Sequence, residues 1–235
     1  MINGVIPAFA LIPAREGSKG ILNKNILLVD GKHLIKYTID AAKKSSYIDQ
    51  IYVSSDSNFI LDIAEKSQVH PLKRPAIYAQ DNSSSVEVVR HFINILQPNQ
   101  IRQNPYIIYL QPTSPLRKSV HIDAAIELMQ ESKAQSVISV VEAEKPPQKS
   151  FQLDLNGRLI SLFDENISNA RRQDLPKCFY PNGAIYCFRV DDFISRNGFP
   201  SNGSVPFVMS QSSSVDVDQF ADLVLVEKIM RNNNA

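Results

Sequence analysis

The sequence predicts an α/β protein whose mostly parallel sheet is flanked by helices. Short apolar runs rich in β-branched and aromatic residues alternate with segments of helical spacing over residues 6–141. Strands that alternate with helices usually pair in parallel through right-handed crossovers. The 235 residues include 43% apolar residues, enough to bury a full core. We therefore expect one domain over residues 1–235 with a Rossmann-like sheet.

The first half of the chain supplies the alternation. The apolar run from Ile6 to Ile12 predicts the first strand, which Pro13 ends because proline cannot donate to a sheet ladder. The segment over residues 69–78 is short and broken by proline. The other elements expected here are a helix over 33–45, a strand over 50–54, a helix capped by Asp56 or Ser57, a helix over 86–96 capped within 81–85, and a central strand over 106–110.

The second half contains an expected interruption of the sheet. Lys145-Pro146-Pro147 marks a boundary, and Asn156-Gly157 has the turn chemistry of a hairpin between residues 151–155 and 158–162. We expect this small insertion, residues 145–177, to leave the sheet. The remaining elements expected are a helix over 121–130, strands over 136–141, 182–189 and 206–209, a short helix over 191–195, and a last helix capped by Asp218 that runs to Met230 before a frayed tail over 232–234.

The loop after the first strand is the first candidate binding site. Its sequence over residues 10–26 is ALIPAREGSKGILNKNI. Gly17 and Gly20 allow close backbone approach, and Arg15, Lys19 and Lys24 can meet phosphate oxygens. A solvated basic turn is the alternative. The Walker pattern and the three-glycine dinucleotide fingerprint are both absent, which disfavours a P-loop ATPase and an NAD enzyme.

A second candidate site is Gln111 to Arg117, QPTSPLR, at the carboxyl end of the predicted central strand. Ligands of open α/β sheets bind beyond this end of the strands, so this loop should share a crevice with the basic loop. Gln111 and Thr113 offer neutral hydrogen bonds suited to a sugar or a carboxylic acid, and Arg117 is expected to cap local structure. A proline-stiffened turn without a chemical role is the alternative.

A third candidate site is Val215-Asp216-Val217-Asp218. In extended backbone, alternate residues point to one face, so both carboxylates would face the same way. Two hard oxygen ligands at this spacing suit Mg²⁺ together with substrate oxygens. The alternative is a strand end with a helix cap at Asp218.

Composition excludes several other classes of function. A net charge of +1 gives no global basic field for nucleic acid or an acidic membrane surface. No apolar run approaches the roughly 18 residues that a membrane span needs. Cys178 and Cys187 form no disulfide framework or zinc pattern, and the chain begins without a signal-peptide pattern, so we expect a cytoplasmic protein.

Five separated motifs then carry a resemblance to a known family. They are the loop motif made of residues 12–15, 17–20 and 23–26, QPTSPLR over 111–117, Arg172-Gln173 with Pro176, PNGAIY over 181–186, and VDVD over 215–218. In this order the sequence resembles the acylneuraminate cytidylyltransferases, the CMP-sialic acid synthetases. The resemblance implies transfer of CMP from CTP to the anomeric hydroxyl of a sialic-acid-type nonulosonic acid, with Mg²⁺ as cofactor and pyrophosphate as the leaving group.

The resemblance also implies a role for each matching residue. The residues implied for CTP are Ala14, Arg15, Ser18, Lys19, Lys24, Asn25, Arg74 and Ser84. Those implied for the sugar acid are Gln111, Thr113, Lys149, Arg172 and Tyr186. Asp216 and Asp218 would hold the metal, and Arg15, Lys19 and Asp218 would be catalytic. Glu16 departs from the family pattern because it adds an acid to the phosphate loop.

Several alternatives stay open. The acceptor could instead be legionaminic, pseudaminic or 3-deoxy-octulosonic acid, or the chain could be a non-catalytic nucleotide sensor. The proton of the attacking hydroxyl could pass to Asp218 or to a metal-bound hydroxide. The resemblance further implies a homodimer in which residues 145–177 reach toward the partner.

Overall fold

The computed structural model describes residues 6–17, 20–80 and 83–234. The strands are β1 (Ala8–Pro13), β2 (Leu28–Val29), β3 (Lys32–His33), β4 (Gln50–Ser55), β5 (His70–Lys73), β6 (Tyr106–Tyr109), β7 (Ser136–Glu142), β8 (Phe151–Leu153), β9 (Leu159–Ser161), β10 (Phe179–Arg189) and β11 (Val205–Val208). The helices are α1 (Leu34–Lys43), α2 (Asn58–Lys66), α3 (Ser85–Ile95), α4 (Pro98–Arg102), α5 (Ser119–Glu131), α6 (Glu165–Asn169), α7 (Val190–Arg196) and α8 (Phe220–Asn234). None of these helices has the length and hydropathy of a membrane span.

The main sheet has the order β11-β7-β10-β6-β1-β4-β5. Every neighbouring pair is parallel except the two pairs that β10 makes with β6 and β7. This confirms the predicted Rossmann-like, mostly parallel sheet. Because β10 runs in the opposite direction, its first half lies at the same edge of the sheet as the carboxyl ends of its neighbours.

Both faces of the sheet are covered, which explains why β1 is apolar throughout. Ala10 and Ile12 belong to a core cluster that also contains residues of α1, α2 and α5. Phe9 and Leu11 belong to a second cluster on the other face, with residues of α3 and α7. A strand buried on both faces has no polar side to alternate with.

The local structure differs from the sequence expectations in several places. Residues 70–73 form β5 although Pro71 interrupts them, because β5 is the last strand of the sheet and an edge strand tolerates a missing donor. The expected frayed tail over 232–234 is helical in α8, whose Val226 anchors it in a small core. The short helices α4 and α6 were not expected.

The predicted hairpin is confirmed. β8 and β9 pair antiparallel in a small sheet of their own, apart from the main sheet. Gly157 in the connecting turn has a φ of +75°, the left-handed conformation that glycine adopts readily.

Candidate active site

A cleft of about 420 Å³ opens at the carboxyl edge of the sheet. The loop after β1, the loop after β6, the start of α3 and the segment before α8 contribute to it. Its lining residues are Pro13, Arg15, Gly20, Lys24, Asn25, Arg74, Ser83, Ser84, Ser85, Val88, Tyr109, Gln111, Pro112, Thr113, Asp216 and Asp218. The structure therefore brings the three segments singled out in the sequence into one cavity.

Asn25 holds the loop that follows β1. It is buried, and its Nδ2 donates to the carbonyl of Arg15 at 2.9 Å. Arg15 in turn donates from Nη1 to the carbonyl of Gln80 at 3.3 Å. The loop backbone is thus fixed by its own asparagine. Ser18 and Lys19, both expected to bind CTP, lie outside the described residues.

Lys24 connects this loop to the segment before α8. Its Nζ donates to Asp218 Oδ1 at 2.8 Å and to the carbonyl of Val217 at 2.6 Å. Gly20 allows the two segments to approach closely because it has no side chain. A Cβ at that position would lie 2.5 Å from the carbonyl oxygen of Asp218. A side chain at residue 20 would therefore displace the aspartate segment.

The two aspartates face the cleft, as their alternation predicts. Asp216 and Asp218 line it, whereas Val217 between them is fully buried on the opposite side. The amide of Val217 donates to the carbonyl of Thr113 at 2.8 Å, so the segment is attached to the loop after β6. This backbone bond fixes the direction of both carboxylates.

The prediction that Asp218 caps the last helix is wrong. Asp222 Oδ2 accepts from the amides of Asp218 and Gln219 at 2.8 and 2.7 Å, and so satisfies the groups at the start of α8. The carboxylate of Asp218 is directed to Lys24 instead. This leaves Asp218 available to the cleft.

Asp216 has a raised pKa. Partial burial is the main cause, and the negative charge of Asp218 adds to it, while the Thr113 hydroxyl and Lys24 oppose it. Two carboxylates that repel each other in one cleft attract a divalent cation. Over the described ranges no cluster of three His, Cys, Asp or Glu side chains could hold a metal. A metal here would therefore complete its ligand set with oxygens from a substrate, as Mg²⁺ commonly does.

Arg74 places a buried cation in the cleft wall. It is 4% exposed, and its Nε and Nη2 donate to the hydroxyl and carbonyl of Ser54 at 3.1 and 2.8 Å. Burial lowers the pKa of its guanidinium. Its neighbours in the lining include Ser84 and Ser85 at the start of α3.

Ser84 is the N-cap of α3. Its hydroxyl accepts from the amide of Glu87, and its own amide donates to Glu87 Oε2 at 2.7 Å, which makes a capping box. The predicted cap within 81–85 is therefore at Ser84, while Asp81 and Asn82 lie outside the described residues. The positive end of the α3 dipole points at the cleft and favours an anion there.

Tyr109 is a lining residue that the sequence did not single out. It is almost fully buried, and burial raises the pKa of its phenol to about 12 despite Ser85 and Arg74. It is the last residue of β6, two positions before Gln111. Its place at a strand end beside QPTSPLR is the signal that could have identified it.

The residues expected for the sugar acid divide into two groups. Gln111 and Thr113 line the cleft. Tyr186 is not among the lining residues, but it is half-buried on β10, with its ring centroid 6.2 Å from that of the lining residue Tyr109. Burial raises the pKa of Tyr186, and the charge of Asp216 adds to that shift.

Lys149 and Arg172 do not line this cleft. Lys149 Nζ donates to the carbonyl of Ser168 at 3.3 Å within the insertion. Arg172 is exposed in a short 3-10 turn. Both belong to the segment that carries the hairpin.

Ala14 and Glu16 flank Arg15 on the loop. Ala14 is buried, and its amide donates to the carbonyl of Ser54 at 2.9 Å, which continues the β1 ladder. Glu16 is exposed, and its amide donates to Asp56 Oδ1 at 3.0 Å. Neither side chain lines the cleft, and this includes Glu16, the acid that departs from the family pattern.

Comparison with known proteins gives matches over most of the chain. The sequence profile described as Cytidylyltransferase matches residues 9–195. An N-acylneuraminate cytidylyltransferase of Escherichia coli O18:K1:H7 is 36% identical over 226 residues, which cover 96% of this chain and 52% of that protein. The chain thus spans about half the length of this and the similar streptococcal relatives.

Two further matches cover nearly the whole of both chains. A pseudaminic acid cytidylyltransferase of Campylobacter jejuni is 33% identical over 231 residues, covering 95% of this chain and 96% of that protein. A CMP:2-keto-3-deoxy-manno-octonic acid synthetase solved in complex with CTP superimposes with a TM-score of 0.71 over 97% of this chain and 99% of that chain. Its sequence identity of 15% makes it a likeness of fold.

Proposed function

The chain belongs to the cytidylyltransferase family, and from this premise we propose that it transfers CMP from CTP to the anomeric hydroxyl of a sialic-acid-type nonulosonic acid. Pyrophosphate is the second product. The observation that carries the proposal is the cleft in which cations, two carboxylates and neutral hydrogen-bonding groups face one another. The cleft offers suitable groups for a nucleotide, a divalent cation and a polar acceptor.

The nucleotide side of the cleft neutralises and orients CTP. Arg15, Lys24 and the N-terminus of α3 supply positive charge for the triphosphate. Arg74 and Ser84, which also line the cleft, would meet the cytosine and ribose. Charge neutralisation and positioning are the main contributions that a protein makes to such a transfer.

The acceptor side holds the sugar acid. Gln111 and Thr113 can donate and accept hydrogen bonds to hydroxyl and carboxyl groups. Asp216 and Asp218 would hold Mg²⁺, which when bound neutralises charge on phosphate oxygens. Lys24 offsets part of the charge of Asp218, because its ammonium group lies 2.8 Å from that carboxylate.

A second candidate acceptor is pseudaminic acid. A pseudaminic acid cytidylyltransferase is 33% identical to this chain, and the match covers nearly the whole of both chains. The nucleotide chemistry is the same for either acceptor.

Incubation of purified protein with CTP, Mg²⁺ and a panel of nonulosonic acids tests the proposal. We expect pyrophosphate release with at least one acid, and the acid with the highest kcat/KM identifies the acceptor. Fastest release with pseudaminic acid would replace the main proposal by the second candidate. No release with any acid would favour a nucleotide sensor.

We further propose a homodimer formed through residues 145–177. The hairpin and the residues just after it expose large apolar side chains, among them Leu153 at 68%, Leu159 at 67% and Phe163 at 60%. A two-stranded hairpin is marginal alone, and an apolar surface of this kind usually packs against a partner. Lys149 and Arg172, which do not line their own cleft, would then serve the cleft of the partner.

Sedimentation tests the dimer. We expect the protein to sediment as a dimer at micromolar concentration and Leu153→Glu with Leu159→Glu to yield a monomer with little activity, because the charges cannot be buried. Ile194→Glu, a similar change at an exposed residue of α7, is the control and should stay dimeric. A wild-type monomer with full activity would be incompatible with the proposal.

Gly20→Ala should lower turnover on the order of 10- to 100-fold, because the added methyl group displaces the carbonyl of Asp218 and shifts both carboxylates. Initial rates at saturating CTP and acid measure this. Gly198→Ala is the control, since the nearest atom to its new Cβ is 4.0 Å away, and it should keep near-normal turnover. Equal rates in the two variants would refute the steric role of Gly20.

A cytoplasmic location also belongs to the proposal. Cys178 and Cys187 are both free thiols, as is usual for proteins of a reducing compartment.

A further inference from the structure

Arg117 is a buried cation behind the acceptor side of the cleft. Its side chain is 2% exposed, and burial lowers the pKa of the guanidinium to about 9, which leaves it charged at neutral pH. Among the described residues no carboxylate pairs with it, and its Nε has no hydrogen-bond partner. Burial of a charge without a counter-ion is costly, so the position calls for an explanation beyond packing.

The partners of Arg117 lie on three different elements. Nη1 donates to the carbonyls of Gln111 and Ala184 at 3.0 Å each, and Nη2 donates to the Thr38 hydroxyl at 2.5 Å. Arg117 therefore joins the loop after β6 to β10 and to α1. Hydrogen bonds from a charged donor are stronger than neutral ones, so these bonds fix the three elements relative to one another.

The side chain of Gln111 packs against Gly183. This glycine has a φ of +75°, and a Cβ built on it would collide with Gln111 Oε1. The side chain of Gln111 thus lies directly on the backbone of β10, one residue before Ala184. The backbone carbonyl of Gln111 accepts a hydrogen bond from Arg117, and its side chain packs against Gly183. These two contacts together fix the direction in which the Gln111 amide group faces the cleft.

We propose that Arg117 is a positioning residue for the acceptor, acting through Gln111 without touching substrate. This inference rests on the proposed CMP transfer and deepens it. The buried guanidinium ties Gln111 to β10, so that the Gln111 amide meets the sugar acid in one orientation. CTP, held by the loop after β1 and by Arg74, should be little affected.

Steady-state kinetics of R117K and R117M separate this role from a merely structural one. Lysine keeps the charge but cannot reproduce the fork of bonds, and methionine removes both. We expect the KM for the acid to rise about tenfold in R117K and on the order of 100-fold in R117M, with the KM for CTP changed by less than about twofold. A purely structural role would lower the fraction of active enzyme and leave both KM values unchanged.

A double-mutant cycle with Q111A tests the route of the effect. If Arg117 acts through the Gln111 side chain, R117K should raise the acid KM by less than about twofold in the Q111A background, since coupled residues are not additive. R189M is the control, because Arg189 is a partly buried arginine at the other end of β10, over the Tyr106 ring. It should leave both KM values unchanged.

The outcomes distinguish this inference from the proposed function. A wild-type protein that releases no pyrophosphate with any acid overturns both. An active wild type in which R117K and Q111A act additively, or in which R117K raises the CTP KM as much as the acid KM, overturns the positioning role alone. Thermal melts of every variant identify those that fail to fold, and R117K is the variant on which the inference then depends.

Discussion

Asp216→Asn and Asp218→Asn should each nearly abolish CMP transfer, with turnover lowered by at least on the order of 10³-fold. Asparagine keeps the shape of the side chain but loses its charge. Both carboxylates face the cleft, and the buried Val217 between them anchors the backbone. A backbone shift therefore cannot compensate for the lost charge. The protein should stay folded, because neither carboxylate is part of the core.

The measurement is turnover as a function of Mg²⁺ concentration, with thermal melts as a folding control. If the substitutions weaken metal affinity, higher Mg²⁺ should recover part of the activity. Asp222→Asn is the matched control, since it also removes one carboxylate from this segment but keeps an oxygen acceptor for the amides of Asp218 and Gln219. It should retain most of the activity. Near-normal turnover in Asp216→Asn and Asp218→Asn would refute the metal assignment.

The sequence predicts the parts of the site that depend on local pattern. The apolar run that becomes β1 and the QPTSPLR loop after β6 both end at the carboxyl edge of the sheet, so their meeting in one cleft follows from general rules of α/β proteins. The alternation of Asp216 and Asp218 likewise follows from extended backbone. These features need only a few consecutive residues to be recognised.

Features that depend on distant contacts were not predictable in this way. Pro71 argued against a strand, and only its place at the sheet edge makes β5 possible. The reversed direction of β10 is set by pairing with β6 and β7, which no local pattern encodes. The wrong cap at Asp218 has the same origin, because Lys24, 194 residues away, competes for that carboxylate.

The buried polar network around β10 is a further example. Asn182 Oδ1 accepts from the Ser139 hydroxyl at 2.6 Å, and its Nδ2 donates to the Ser214 hydroxyl at 2.9 Å. Ser214 lies two residues before Asp216, so Asn182 ties the aspartate segment to the middle of the sheet. The sequence identifies PNGAIY as a motif, but the partners of its asparagine lie in other segments.

Lys19→Ala should lower turnover on the order of 10²- to 10³-fold, the usual effect of removing one charged group that stabilises a transition state. Lys19 lies outside the described residues, but Arg15 and Gly20, on either side of it along the chain, both line the cleft. A lysine in this loop would meet a phosphate that is not transferred and offset the charge that develops as pyrophosphate leaves. The loss should therefore appear mainly in kcat.

Two further variants make the test of Lys19 specific. Lys19→Arg keeps the charge in a different shape and should fall between wild type and Lys19→Ala, because a single phosphate contact needs charge more than a fork of donors. Lys66→Ala removes an exposed lysine at the end of α2 and should change nothing. Pyrophosphate release at saturating CTP and acid measures all three. Wild-type rates in Lys19→Ala would exclude Lys19 from the site. Of the groups proposed to neutralise the triphosphate, only Arg15, Lys24 and the start of α3 would then remain.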